Sequence, residues 1–158
     1  MKVVSDTSPI CYLWLIGHID LLPGLFNYIF IPEAVCFELK DKGAPAGLRN
    51  WMNNPPAWLK VKSVKGKLDP SLHRLHPGES EAISLAQRIS ADLLLLDEKA
   101  ARQAAIEQGL RISGLLGILN EAASRKLLDL SEAIERLQHT NFRIAPHILR
   151  SLLYKHYR

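Results

Sequence analysis

The order of hydrophobic patterns along the chain predicts an α/β fold built on a mostly parallel sheet of about four to five strands. Short β-branched or leucine-rich runs alternate with segments of helical periodicity about ten residues long, the rhythm of strand–helix–strand crossovers. One run, Leu93 to Leu96, is continuously apolar, which marks a strand covered on both faces. Strand endings are the third observation: Val3-Val4-Ser5-Asp6 and Leu93-Leu94-Leu95-Leu96-Asp97 both close on an aspartate that leads into a helix.

Each element has its own signal. Lys2 to Ser5 is a β-branched strand. Ser8-Pro9 reads as an N-cap with proline at the first helical position, opening a helix that Gly17 ends. A helical turn follows at Ile19 to Leu25, then an aromatic, β-branched strand at Asn27 to Ile31. Pro32 begins a helix over Glu33 to Lys40. Asp41 to Pro56 holds two Gly and three Pro, which predicts loop with a helical turn near Leu48 to Met52. In Trp58 to Val64 the apolar and lysine positions alternate as in a half-exposed strand, with Lys60 and Lys62 guarding a sheet edge or facing nucleic acid. Lys65 to Pro77 is irregular, and Gly78 launches a helix to Ile89. After the leucine strand come a helix from Glu98 to Gln108 stopped by Gly109, a short strand at Leu110 to Ser113, and helices at Leu115–Ser124, Leu130–Gln138 and Pro146–Tyr157.

Length and composition narrow the classes. At 158 residues, 1–158 is expected to form one domain that folds without metal or disulfide staples. An apolar fraction of 47% and a net charge of +4 exclude a disordered or low-complexity chain. The longest apolar run, Ile10 to Ile16, falls far short of the ~20 residues of a membrane helix. Asp6 before that run and no small-residue site after it argue against a secretory signal. Cys11 and Cys36 lack motif spacing and read as reduced core residues of a cytoplasmic protein. A pI near 9.2 fits a polyanionic partner without requiring one.

Four carboxylates carry the chemistry. In a parallel sheet, Asp6 and Asp97 emerge at the carboxyl ends of strands, where ligand sites of open α/β sheets gather; each is also readable as a helix cap. Glu79 shares a helical face with Ala82, Ile83 and Ala86, so it leads an apolar stripe, whereas Glu81 lines up with Ser84, Leu85 and Arg88. A carboxylate leading a buried stripe needs a partner, or serves the helix dipole in the first turn. Glu38 lies beside the apolar face of Ala34, Val35 and Leu39, or is an exposed helix glutamate. Acids gathered at one rim repel one another unless a cation neutralises them. An all-oxygen set suits Mg²⁺ or Mn²⁺, and the scattered histidines argue against zinc. Such a site can activate water and stabilise the charge that develops on a phosphodiester, which is metal-assisted hydrolysis of nucleic acid.

Val3-Val4-Ser5-Asp6-Thr7-Ser8, a glutamate on the helix after the second strand, Gly78-Glu79-x-x-Ala82-Ile83 and the leucine strand ending in Asp97 occur in an order that resembles the PIN-domain family. The likeness, across about Met1 to Leu153, is to the small prokaryotic ribonucleases that act as VapC-type toxins. It implies a three-layer α/β/α sandwich and a metal-dependent endoribonuclease cutting single-stranded RNA with Mg²⁺ or Mn²⁺. It also implies a cognate small antitoxin protein and a homodimer. Carried over by motif, the catalytic residues are Asp6, Glu38, Glu79 and Asp97, with Asp6, Glu79 and Asp97 as metal ligands. Ser8 matches the hydroxyl of the Asp-x-Ser motif. Glu79 stands where many members have Asp, with Glu81 a possible substitute, and Leu95 stands where many have a hydroxyl, which allows weak or absent catalysis. Arg102 either contacts substrate phosphate or pairs with Glu98.

A phosphotransferase reading fails because Asp6-Thr7-Ser8 lacks an Asp-x-Asp-x-Thr pattern and no phosphate-cradling glycine loop is present. The other surviving reading is a catalytically weak or inactive PIN-like module that binds nucleic acid or a partner protein. Two basic clusters, Lys60, Lys62, Lys65, Lys67 and Arg74, and Arg143, Arg150, Lys155 and Arg158, are expected to send some members to the acidic rim. On the last helix Ile148, Leu149, Leu152 and Leu153 share a face that closes the core or meets another chain.

Overall fold

Five short strands form where the β-branched and leucine runs lie: β1 (Val3–Ser5), β2 (Ile29–Pro32), β3 (Leu59–Lys62), β4 (Leu93–Leu95) and β5 (Ile112–Ser113). The structure is a computed structural model describing residues 1–157. The strands make one sheet in the order β3-β2-β1-β4-β5, and every pairing is parallel. Val3, Val4 and Ser5 pair with Leu93, Leu94 and Leu95, so the two central strands run in step and end together.

Nine helices are described: α1 (Thr7–Leu15), α2 (Leu21–Phe26), α3 (Glu33–Lys40), α4 (Ala46–Met52), α5 (Pro77–Arg88), α6 (Lys99–Glu107), α7 (Leu115–Ser124), α8 (Leu130–Gln138) and α9 (Pro146–Tyr157). The pleat divides the interior into two cores. Val3 and Leu95 face Ile10, Leu13, Val35 and Leu119 on one side of the sheet; Val4, Leu94 and Leu96 face Ile83, Ala86, Ala101 and Ala105 of α5 and α6 on the other. Helices on both faces make the three-layer α/β architecture, and Leu94, Leu95 and Leu96 are fully buried, as the lack of alternation predicts, while Leu93 is partly buried. Among the described residues no helix is long and apolar enough to cross a membrane.

Gly17 ends α1 as expected. At φ +77° it lets its own N–H reach Trp14 O and the His18 N–H reach Leu13 O, a paired closure that favours glycine. The start of α1 differs from the expectation. Thr7, not the residue after Ser8, opens the helix, and Asp6 stands in the cap position without a side-chain cap bond. Asp6 is still extended and its N–H continues the β1–β4 ladder to Leu95 O at 3.0 Å, so the chain passes from strand to helix without a loop. Pro9 is accommodated because the first helical N–H groups have no intrahelical partner.

Three further expectations are corrected. The segment after α3 holds a two-turn helix, α4, where Leu48 and Met52 reach the core. On β3 only Leu59 is buried and Val61 is 43% exposed, because β3 is the sheet edge; Lys60 and Lys62 lie over the rings of Tyr28 and Phe30. Cys11 and Cys36 are free thiols, but each is only partly buried at the margin of the larger core. On α9, Leu149, Leu152 and Leu153 pack against that core while Ile148 is 44% exposed.

Candidate functional site

From β1 the chain builds outward through β2 and β3, then returns to place β4 and β5 on the other side. The reversal puts the crevice of this open sheet between the carboxyl ends of β1 and β4, where ligands of such sheets bind. Asp6 follows β1 directly and Asp97 follows β4 after Leu96. A cavity of about 580 Å³ opens there, lined by Asp6, Glu38, Glu79 and Asp97 together with Thr7, Ser8, His76 and Glu98. The same cavity is lined by Cys11, Tyr12, Leu15, Gly43, Pro45, Asn141, Phe142 and Arg143.

Asp6 is 5% exposed, and its carboxyl is pushed up from 3.8 to about 7. Burial is the main cause; the Thr7 backbone N–H opposes it, and the charges of Glu79, Glu38 and Asp97 add to it. Burial also raises Asp97, against the Leu115 N–H, the Arg102 guanidinium and the nearby Ser8 hydroxyl. Asp97 Oδ1 accepts from Leu115 N at 2.8 Å, whereas its buried Oδ2 has no hydrogen-bond partner. Glu79 is raised as well, chiefly by burial, although its Oε1 accepts from His76 N at 3.1 Å and so closes the start of α5. Glu38 is fixed at both oxygens: Thr7 Oγ1 donates to Oε1 at 2.6 Å, and His76 Nδ1 lies 3.1 Å from Oε2.

Two glycines give these acids room. A Cβ on Gly78 would lie 2.3 Å from Glu38 Oε2, and one on Gly114 would lie 2.5 Å from Asp97 Oδ1 and 2.9 Å from an Arg102 guanidinium nitrogen. Neither acts through an unusual backbone angle; both act through close approach.

Glu81 is not at the cavity. Its carboxylate accepts from Ala34 N at 3.2 Å, satisfying an orphan donor at the start of α3. That contact locks α5 to α3. Arg102 does not pair with Glu98, which instead caps α6 through Ala100 N and Ala101 N. The guanidinium donates to Leu96 O at 2.8 Å, bracing the turn that carries Asp97. Of the basic clusters, Arg143 lines the cavity, the residues from Lys60 to Arg74 do not, and Arg158 lies outside the described residues.

Thr7, His76, Asn141 and Phe142 are not singled out by the sequence, whereas Arg143 belongs to a basic cluster expected at the rim. For Thr7 a signal existed, since it follows Asp6 inside the quoted motif; for His76, Asn141 and Phe142 the chain gives none.

A family model described as DUF3368, PIN domain, matches residues 2–157. The chain belongs to the PIN-domain family. Among solved structures this PIN domain is similar to a PilT N-terminus domain protein from the hyperthermophilic archaeon Sulfolobus solfataricus P2. The identity is 19%, with 91% of this chain and 100% of that one covered at a TM-score of 0.54, a likeness of fold. No curated protein matches the PIN-domain sequence significantly. PIN domains are generally nucleases, and they typically use divalent metal ions.

In this PIN domain no group of three or more His, Cys, Asp or Glu side chains among the described residues stands close enough together to hold an ion. The acids share a cavity, but Glu38 and Glu79 are tied to Thr7, His76 and the α5 backbone. The donor chemistry nevertheless fits a hard divalent cation. Asp97 Oδ2 is a buried acceptor without a hydrogen-bond partner, and burial, with the other acids nearby, holds the Asp6 carboxyl above its ordinary value.

Proposed function

We propose that the chain is an endoribonuclease that hydrolyses single-stranded RNA at this cavity, using Mg²⁺ or Mn²⁺ bound by Asp6, Asp97 and Glu79. The observation that carries the reading is the convergence of Asp6, Glu38, Glu79 and Asp97 on one cavity at the carboxyl ends of β1 and β4. Held by these three carboxylates, a divalent ion would supply a counter-charge and Lewis acidity toward a phosphodiester and water. Asp6 and Asp97, on adjacent strand ends, set the spacing of that charge. Arg102 and Leu115 N orient Asp97 through the turn it sits on and through Oδ1, leaving Oδ2 to face a cation. Glu38, clamped by Thr7 and His76, deepens the negative potential and accepts a proton from the attacking water.

The finer reading follows the motif likeness: a cytoplasmic toxin of a toxin–antitoxin pair, homodimeric and restrained by a small antitoxin. The half-exposed face of α9 around Ile148 supports a protein contact. One observation favours the second reading, a weakly active or inactive module: Leu95 is fully buried in the core, leaving no hydroxyl where many PIN domains carry one.

Incubation of the full chain with single-stranded RNA in Mg²⁺ or Mn²⁺ tests the proposal. Cleavage abolished by EDTA and by Asp97→Asn is expected. RNA left intact in both ions favours the module, and cleavage that persists in EDTA contradicts the metal mechanism.

A further inference from the structure

We propose that the part of the cavity lined by Tyr12 and Phe142 is a base-binding subsite for single-stranded RNA. Tyr12 and Phe142 would be its aromatic walls, Asn141 the reader of a base edge and Arg143 the phosphate contact. The inference rests on the ribonuclease reading and adds how the substrate is held. The cavity is mixed in character: beside the four acids, Tyr12, Leu15, Pro45 and Phe142 line it with apolar surface. The volume is within the range that takes a small organic ligand. A phosphate is drawn to the acids only with a cation, whereas a base needs a dry, flat surface and a few hydrogen-bonding groups beside it.

The rings of Tyr12 and Phe142 meet edge to face, with centroids 5.0 Å apart and planes at 72°, and both are half-buried, so ring surface remains open to the cavity. The Tyr12 hydroxyl donates to Asn141 Oδ1 at 2.5 Å. With that oxygen engaged, the amide Nδ2 is left as a donor suited to a base carbonyl or ring nitrogen. The wall is preformed. Thr140 Oγ1 donates to Leu137 O and accepts from Phe142 N at 3.1 Å, and Ile144 packs against the larger core. Arg143, next in the chain and exposed at the cavity, supplies a cation beside the aromatic walls.

The test uses the full chain in EDTA, where no divalent ion supports cleavage, and a fluorescent single-stranded RNA of about ten nucleotides. Binding is read by anisotropy with intact RNA and with one abasic residue placed at each position in turn. Removing a stacked base, or the Phe142 ring by Phe142→Ala, is expected to weaken binding about 5- to 100-fold. The two losses should not add when the abasic residue occupies the subsite. Arg143→Ala should weaken binding to every sequence and lower the salt slope by about one.

Because Phe142→Ala loosens a core contact, wild-type protein is also irradiated with RNA carrying 4-thiouridine. Cross-links to Tyr12 or to residues 141–143 are expected, and cross-links confined to other segments overturn the subsite. If wild type cleaves RNA with Mn²⁺ while Phe142→Ala and Tyr12→Ala bind like wild type, the subsite falls and the ribonuclease reading stands. If wild type neither binds nor cleaves RNA, both fall.

Discussion

Replacing Asp6 by asparagine keeps the shape of the side chain and removes a charge that the fold accommodates poorly. The carboxyl titrates near 3.8 in an open chain and near 7 in the folded protein. Between those values the folded state holds a proton that the unfolded state has lost, so wild-type stability falls as pH rises from about 4 through about 7. A rise of about three pH units, at about 1.4 kcal/mol for each, makes the Asp6 contribution about 4 kcal/mol at pH 8 as an upper bound. The assay is urea unfolding of both proteins from pH 4 to pH 8 in EDTA. Asp6→Asn should match wild type at the acid end and become the more stable protein at pH 8. Mn²⁺ at a hundred times its dissociation constant should then restore about 2.7 kcal/mol to wild type at pH 8 and much less to the variant. A stability difference independent of pH, or a variant less stable than wild type at pH 8, would refute the claim that Asp6 is a buried, uncompensated acid.

Other substitutions separate the site from its supports. Gly78→Ala places a Cβ where the Glu38 carboxylate lies, so that side chain must leave Thr7 and His76. A loss of about 1–3 kcal/mol in urea unfolding is expected, together with weaker Mn²⁺ binding in calorimetry. Glu81→Ala uncaps α3 and should cost about 0.5–2 kcal/mol of stability while leaving Mn²⁺ affinity unchanged. Glu79→Gln should do the reverse, lowering Mn²⁺ affinity at little cost in stability. Equal Mn²⁺ affinity in the two variants would remove Glu79 from the ligand set.

The fold was legible because its signals are local. The β-branched start, the leucine run and the glycines at 17 and 109 each declare an element without reference to the rest of the chain, and parallel pairing follows from the helices between strands. The placement of Asp6 and Asp97 at neighbouring strand ends was legible for the same reason, since a strand that stops on an acid before a helix has one rim to put it on. The supports of Glu38 were not legible. Thr7, His76 and Gly78 come from separate elements, and nothing in the local sequence says that a hydroxyl, an imidazole and a missing Cβ meet at one carboxylate. Glu81 misled because helical spacing tells which face a residue shares and not which backbone N–H waits across from it. Arg102 and Glu98 have the spacing of an ion pair, but a free helix N–H and an open Leu96 carbonyl each offered a better partner. The wall at Asn141–Arg143 follows α8 by a short turn whose direction is set by packing of Phe142 and Ile144, a tertiary effect.

The most direct test of the account is a crystal of the wild-type chain soaked in Mn²⁺ and measured for anomalous scattering. A peak between the carboxylates of Asp6 and Asp97, in contact with Asp97 Oδ2 and with Glu79 turned away from His76 N, is the predicted result. Manganese found only at other positions, with Asp97 Oδ2 still without a partner, would contradict it.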